Sequence, residues 1–148
     1  MSSISPLHST FRKLFQVETV VWNRLDDRLR ERHGLSLAHV TVLRVIEETP
    51  GCRVQDVVTT LDITVGGASK SVDRLEAAGH AVRAAHPTDR RSSVLLVTDA
   101  GRAVLDLVAP DVEALLDDWL GTAISAEDLA HLDRILTAVQ SHAWGRRP

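Results

Sequence analysis

The chain has 148 residues, of which 44% are hydrophobic and 25% are charged. These proportions are typical of one compact domain or two small lobes, and they exclude a disordered chain. The single cysteine, Cys52, excludes an intramolecular disulfide and indicates a reducing compartment, which we take to be the cytoplasm. The sequence contains neither a secretory signal nor an apolar run of membrane-spanning length, so we expect no membrane partner.

The net charge of -3 is distributed unevenly along the chain. Residues 1–64 hold 8 basic and 8 acidic side chains, residues 65–102 hold 6 and 4, and residues 103–148 hold 3 and 8. Only the middle stretch is net positive. An anion-binding surface is therefore expected there.

The first two helices are predicted from apolar periodicity and from the residues that end them. Residues 10–33 form an amphipathic helix that Gly34 terminates. A second helix follows over Leu37 to Thr49, with Ser36 as its N-cap and Pro50-Gly51 as its stop. Its apolar residues point in all directions, as in a helix that is buried on most sides. The apolar stripe of the first helix comprises Phe11, Leu14, Phe15, Val21, Trp22, Leu25 and Leu29.

The middle of the chain has the pattern of a winged helix. A short third helix is followed by a fourth, which Thr64 caps and which ends before Gly79. The apolar pattern then changes from helical to extended. Two strands are predicted, Ala81 to His86 and Ser93 to Thr98, with a charged loop at residues 87–91 between them. The apolar face of the third helix is Val54, Val57, Val58 and Leu61, and that of the fourth is Val65, Ala68, Val72 and Leu75.

The C-terminal part is helical again. One helix begins at Asp99, and Pro110 either kinks it or divides it in two. A last helix opens at Ser125 with a capping box in which Asp128 replaces Glu. The terminal helices carry more apolar surface than the central unit can bury, so we expect a homodimer.

The expected fold is therefore mainly α with a small β-hairpin wing. Residues 35–99 form a winged helix-turn-helix DNA-binding domain. Residues 1–34 and 100–148 form a helical dimerisation region.

The outward face of the fourth helix suits insertion into a DNA major groove. Lys and Arg donate hydrogen bonds to guanine acceptors and to phosphates, and bare glycine backbone lets the first amides approach a phosphate. The alternative is a solvated amphipathic helix whose glycines merely soften its start. The candidate DNA contacts on this helix are Thr64, Gly66, Gly67, Ser69, Lys70 and Arg74.

The loop between the strands supports the first interpretation. Arg90 and Arg91 lie at its tip, and guanidinium groups suit a narrow, electronegative minor groove. Asp89 is placed to hold one of them through a bidentate pair. A charged tip is usually a solvated turn, but the preceding helix-turn-helix favours groove reading by helix and wing together.

Residues 36–104 resemble the winged-helix core of the MarR family of bacterial transcription regulators. The resemblance rests on residues 64–79, on the Asp89-Arg90-Arg91 tip and on the Leu-x-Thr-x-x-Gly pattern of residues 96–101. It implies a homodimeric repressor that binds a pseudo-palindromic operator and is released by a small ligand or an oxidant, with Arg91 in the minor groove. The sequence departs from the family pattern at two places: Gly66-Gly67, where many members carry Ser, Arg or Thr, and Arg53, where a capping Ser or Thr is common.

The effector is less well defined by the residues. Members of the family that bind aromatic ligands do so between the DNA-binding lobe and the dimerisation helices, and by that resemblance Phe15, Trp22 and His39 would line the site. The residues alone favour core packing for Phe15 and Trp22, and a hydrogen-bonded core role for His39.

Other function classes receive less support from the sequence. An oxidant sensor would rest on Cys52 alone, with no second thiol to resolve a sulfenic acid, so we interpret it as a small, semi-buried residue. A protein-docking winged helix would need a less cationic face than Lys70, Arg74 and Arg91 provide. We expect no enzyme, cofactor or metal site, because catalytic motifs are absent and His131 and His142 are about 16 Å apart on a helix.

Overall fold

A computed structural model describes residues 5–85 and 93–144. The described part holds six α-helices and one two-stranded hairpin, which confirms the expected mainly helical winged-helix class. A π-helical turn, Asp117–Gly121, follows the fifth helix. In chain order the elements are α1 Pro6–His33, α2 Leu37–Glu48, α3 Val54–Leu61, α4 Val65–Ala77, β1 Ala81–Ala85, β2 Ser93–Val97, α5 Asp99–Leu116 and α6 Ala126–Trp144.

The junction between α1 and α2 is held by backbone and carboxylate hydrogen bonds. Gly34 ends α1 in the left-handed conformation, with φ 68°, and its N–H donates to the Arg30 carbonyl at 3.0 Å. Ser36 Oγ accepts the His39 N–H at 3.2 Å, which confirms the predicted N-cap. Asp26 of α1 accepts the Leu37 N–H at 2.7 Å. The hydrogen bond from Arg30 lowers the pKa of Asp26, which keeps this acceptor charged.

Helix α2 is the centre of the core. Six of its side chains are buried, and it packs against α1, α3, α4 and β2. This confirms the interpretation of α2 as a helix buried on most sides. Within the described residues, the largest fully buried side chains are Leu29, Leu43, Leu75, Leu95, Val57, Val72, Val108 and Cys52.

The residue before α3 is Arg53, where the family pattern commonly has a Ser or Thr. Helix α3 therefore begins without a hydroxyl cap. Asp56 takes over part of that role, because its carboxylate accepts the Arg53 N–H at 2.7 Å. The acidic side chain in the first turn also interacts favourably with the helix dipole. The start of α3 is thus stabilised from its third position.

The hairpin is antiparallel and is anchored to the helical core. Val82 pairs with Leu96 and Arg83 with Leu95. Beyond the hairpin, the Leu95 N–H donates to the Cys52 carbonyl in the turn between α2 and α3 at 2.7 Å. The predicted strand boundaries agree to within one residue, except that His86 lies outside the described residues.

The turn from α4 to β1 is locked to the start of α5, and we call this contact the Thr98 junction (Gly79, His80, Thr98 and Gly101). The Thr98 N–H donates to the His80 carbonyl at 3.0 Å, and its hydroxyl donates to the Gly79 carbonyl at 2.7 Å. The same hydroxyl accepts the Gly101 N–H at 3.0 Å. A Cβ on Gly101 would lie 2.1 Å from the His80 oxygen. The Leu-x-Thr-x-x-Gly pattern therefore has a structural cause.

The chain divides into two compact units, residues 1–110 and 111–148. Pro110 lies within α5, which continues to Leu116, so the predicted alternative of two separate helices is wrong. Ser125 caps α6, with its Oγ accepting the Asp128 N–H at 3.1 Å. The proposed division into dimerisation and DNA-binding regions concerns function and stays a prediction. The first unit contains α1 together with the winged helix.

We expect Gly101→Ala to lower the free energy of unfolding by about 1–3 kcal/mol, because the new methyl group forces the Thr98 junction apart. Gly66→Ala is the matched control, since a Cβ there meets nothing within 4 Å and helix propensity favours alanine. Urea denaturation of both variants measures the difference. Equal stability of Gly101→Ala and the natural chain would contradict the tight contact.

Candidate nucleic-acid interface

Helix α4 has one buried face and one exposed face. Ala68, Val72 and Leu75 are fully buried, and α4 packs against α2, α3 and β1. Val65 was expected on the same face, and that prediction is wrong, because its side chain is 58% exposed. Helical side chains tilt toward the N-terminus, so the side chain of the first residue projects beyond the packed surface.

The first turn of α4 presents bare backbone. Thr64 Oγ1 accepts the Gly67 N–H at 3.1 Å, which confirms the predicted cap. The amides of Val65 and Gly66 have no acceptor within residues 5–85 and 93–144, as is usual for the first residues of a helix. A side chain at Gly66 would meet nothing. Packing therefore does not require glycine at this position, and the bare backbone is open to a close approach.

Arg83 of β1 binds both carboxylates on the second half of α4. Its Nη2 donates to Asp73 Oδ1 at 2.8 Å, and its Nη1 donates to Glu76 Oε2. The Arg83 backbone N–H also donates to Glu76 Oε1 at 2.9 Å. We call this contact the Arg83 clamp (Arg83, Asp73 and Glu76). It compensates two negative charges beside the exposed face of α4.

Sequence reasoning missed the Arg83 clamp. The signal was weak, since it consists only of two acids spaced i, i+3 on a helix and an arginine on the next strand. Whether the three residues meet depends on β1 lying beside α4, which is a tertiary contact.

The two cations of α4 remain available to a ligand. Lys70 and Arg74 are exposed, and neither forms an ion pair within the described residues. Ser69 is half-buried beside them. With Asp73 and Glu76 held by Arg83, the outward face of α4 is net positive and suits a polyanion.

The predicted contacts of the wing fall outside the described part of the chain. Asp89, Arg90 and Arg91 all belong to residues 86–92, so their roles stay predictions. The structure does place the base of the hairpin against α4.

A cleft of about 330 Å³ opens between α1, α2 and the helix-turn-helix. Of the three predicted effector contacts, only Trp22 lines it. His39 lines a smaller cavity with Ser71 and Arg74, and Phe15 is 61% exposed on α1. The structure thus does not bring the three together. The lining residues of the cleft are Trp22, Ala38, Thr41, Val42, Leu61, Ile63, Gly67 and Ser71.

His39 is paired with a second histidine. Its Nε2 lies 2.8 Å from His80 Nδ1, and the rings meet edge to face with centroids 5.1 Å apart. This contact links α2 to the turn that follows α4. The expected hydrogen bond of His39 is thus present, but its side chain is half-buried and does not lie in the core. Burial lowers the pKa of His39, and the charge of His80 lowers it further.

Cys52 has the properties of a structural residue. Its side chain is fully buried, with Sγ 3.7 Å from the Arg53 carbonyl oxygen. Burial raises the pKa of the thiol to about 11, and the negative charge of Asp56 acts in the same direction. The thiol therefore stays protonated at neutral pH, whereas an oxidant sensor requires an accessible thiolate.

Two further kinds of site can be assessed for residues 5–85 and 93–144. No group of three or more His, Cys, Asp or Glu side chains in this part is arranged to hold a metal ion. None of its helices combines the length and apolar character that crossing a bilayer requires.

Comparison with known proteins shows what the chain is similar to. The MarR family model matches residues 33–92, and the HTH-type transcriptional regulator MhqR of Bacillus subtilis is 26% identical over 134 residues, covering 88% of this chain and 92% of that protein. The chain is thus similar to MarR-family regulators in the sequence of residues 33–92 and in its fold. These similarities support a DNA-binding transcription regulator.

Solved MarR-family structures share the fold over nearly the whole chain. Sco3205 of Streptomyces coelicolor, in complex with DNA, superposes with a TM-score of 0.83 at 23% identity, covering 100% of this chain and 92% of that one. CouR of Rhodococcus jostii, bound to p-coumaroyl-CoA, gives a TM-score of 0.81 at 23% identity, covering 99% of both chains.

We expect the stability of the protein to decrease as the pH falls below 6.5, the ordinary pKa of histidine. The folded state disfavours protonated His39, so its stabilising effect is present above pH 6.5 and is lost as the unfolded chain takes up the proton. Urea denaturation at about pH 7.5 and about pH 5 measures this. His39→Gln reduces the pH dependence, whereas His131→Gln, at an exposed site on α6, leaves it unchanged. The same pH dependence in His39→Gln and the natural chain would contradict the role of this pair.

Proposed function

We propose that the protein is a homodimeric transcription repressor that binds a pseudo-palindromic operator and releases it when a small aromatic ligand binds. The observation that carries the DNA-binding part is the exposed face of α4. There Lys70 and Arg74 are unpaired within the described residues, while the Arg83 clamp holds the neighbouring carboxylates. Such a repressor acts where the operator DNA is, in the cytoplasm.

In this proposal α4 enters the major groove. Lys70 donates to guanine O6 and N7 or to a phosphate, Ser69 reaches a base edge, and Arg74 contacts the backbone. The Thr64 hydroxyl oxygen accepts the Gly67 N–H, and its O–H donates to a phosphate oxygen. The free amides of Val65 and Gly66 face a phosphate at the positive end of the helix dipole, and Gly66 and Gly67 leave the approach open because they have no side chains.

The wing contributes the second groove contact. By the family pattern, Arg91 enters the minor groove, Arg90 supports it at a more variable position, and Asp89 orients the tip. Guanidinium groups favour this groove where it is narrow and electronegative. This part of the proposal rests on the sequence.

The homodimer is supported by apolar surface that the single chain leaves in water. On α1, Leu7 is 83%, Phe11 66% and Phe15 61% exposed. A second copy is the simplest partner that covers such surface, and twofold symmetry is the commonest arrangement. In this proposal residues 1–34 and 100–148 form the dimer, and residues 35–99 bind DNA. On α6 the exposed apolar residues are Leu129, Leu132, Ile135, Leu136 and Val139.

The cleft is the proposed ligand site. Its lining is mostly apolar, and it joins Trp22 of α1 to Gly67 and Ser71 of α4. A ligand in the cleft contacts both α1, which we propose to dimerise, and α4, which we propose to read DNA. It therefore stabilises the distance between α1 and α4 at which it binds most tightly. Of the three predicted effector residues we retain Trp22, and we assign Phe15 to the dimer interface and His39 to its pairing with His80.

The competing functions have less support in the geometry. A protein-docking winged helix is expected to present a less cationic face than Lys70 and Arg74 form. Oxidant sensing through Cys52 conflicts with the burial of that thiol and the raised pKa of its side chain.

Lys70→Ala tests groove reading by α4. We expect weaker binding to an operator selected from random DNA, with a loss of about 1–3 kcal/mol per base contact and a smaller loss in binding to random DNA.

Arg83→Ala tests the Arg83 clamp. It frees two carboxylates beside the groove, so it lowers the affinity for the operator and for random DNA alike. Arg44→Ala, an exposed cation on α2, is the control. Fluorescence anisotropy gives the affinities. Unchanged binding by both Lys70→Ala and Arg83→Ala would exclude α4 from the interface.

Phe15→Glu tests the dimer interface. A charge on α1 would be buried against the second copy, so we expect monomers in sedimentation velocity and loss of operator binding together. Gln16→Glu, an exposed neighbour on the same helix, adds the same charge and serves as the control. A Phe15→Glu variant that sediments like the natural chain would show that α1 does not mediate assembly.

A further inference from the structure

The first residue of α4 is an exposed valine. Val65 is 58% exposed, although three of the residues that share its apolar spacing are fully buried. A single exposed valine is common on protein surfaces. Its position makes this one informative, because the N-terminal residues of a recognition helix are the ones that contact base edges.

The surroundings of Val65 leave its methyl groups accessible. The next two residues, Gly66 and Gly67, have no side chains, and a Cβ added at Gly66 would meet nothing within 4 Å. The first exposed cation along the helix, Lys70, is more than one turn further on. The leading end of α4 is thus apolar and the following turn is cationic.

An apolar group at the base edges has one natural partner. In the major groove, adenine, guanine and cytosine present hydrogen-bond donors or acceptors, and only thymine adds a methyl group. Aliphatic side chains discriminate in favour of thymine through that methyl. We propose that Val65 is a specificity-determining residue that contacts the C5-methyl group of one thymine in each operator half-site. This inference rests on the proposed function, and it names the base that the bare end of α4 reads.

The glycines have a role in the same contact. Without side chains at positions 66 and 67, the helix end approaches the DNA closely enough for the short Val65 side chain to reach a base. Longer side chains at these two positions would hold the helix end away. The Gly66-Gly67 departure from the family pattern and the exposed valine thus belong to one arrangement.

The test uses deoxyuridine, which is thymine without the methyl group. An operator is selected from random duplexes with the full-length protein, and each thymine pair related by the dyad is then replaced by deoxyuridine in turn. We expect one pair to lower affinity, by about fourfold per half-site, the effect of burying one methyl group. We expect the Val65→Ala variant to bind the thymine operator about as weakly as the natural protein binds the operator with deoxyuridine at that pair. The variant should bind the thymine and deoxyuridine operators with equal affinity.

Lys70→Ala is the control, because it lowers affinity but preserves the ratio between thymine and deoxyuridine operators. Thermal unfolding of Val65→Ala checks that the exposed substitution leaves the fold intact. A deoxyuridine effect of the same size in Val65→Ala and the natural chain, or none at any position, overturns the inference while leaving DNA binding in place. Failure to select any operator overturns the proposed function as well.

Discussion

The hydrogen bond between the Thr98 N–H and the His80 carbonyl fixes the turn on which the candidate interface depends. The turn is held further by the Thr98 hydroxyl and by the close approach of Gly101. Because the turn is fixed, β1 leaves α4 in a direction that brings Arg83 against Asp73 and Glu76. The exposed face of α4 is cationic as a result, so a backbone contact behind the helix determines the charge that DNA would meet.

The same arrangement relates DNA binding to the rest of the first unit. Helix α2 contacts α1, α3, α4 and β2, so it joins these elements in one packed core. The cleft beside it is lined from both α1 and α4, and the His39–His80 pair joins α2 to the turn after α4. A ligand in the cleft therefore has a physical route to the position of the proposed recognition helix. The exposed apolar residues of α1 are the ones that we propose to form the dimer interface.

Much of the fold was predictable from local patterns. The caps at Ser36 and Thr64, the end of α1 at Gly34 and the hairpin boundaries follow from residue types that act within one turn of chain. The exposure of Val65, the Arg83 clamp and the separation of His39 from Trp22 did not follow. Each depends on which elements meet in space or on where the packed surface ends, and spacing along one helix does not carry that information. The wing arginines were predicted from motif alone and lie outside the described residues.

The central claim is that this chain reads a specific DNA sequence through α4. Fluorescence anisotropy of the full-length protein on DNA from upstream of its own gene, and on a scrambled fragment, across a series of salt concentrations, tests it most directly. The account predicts at least hundredfold tighter binding to the upstream fragment, about 2.7 kcal/mol, with a salt dependence that reflects several phosphate contacts. Equal, weak and steeply salt-dependent binding to both fragments, and to any fragment selected from the genome, would contradict it.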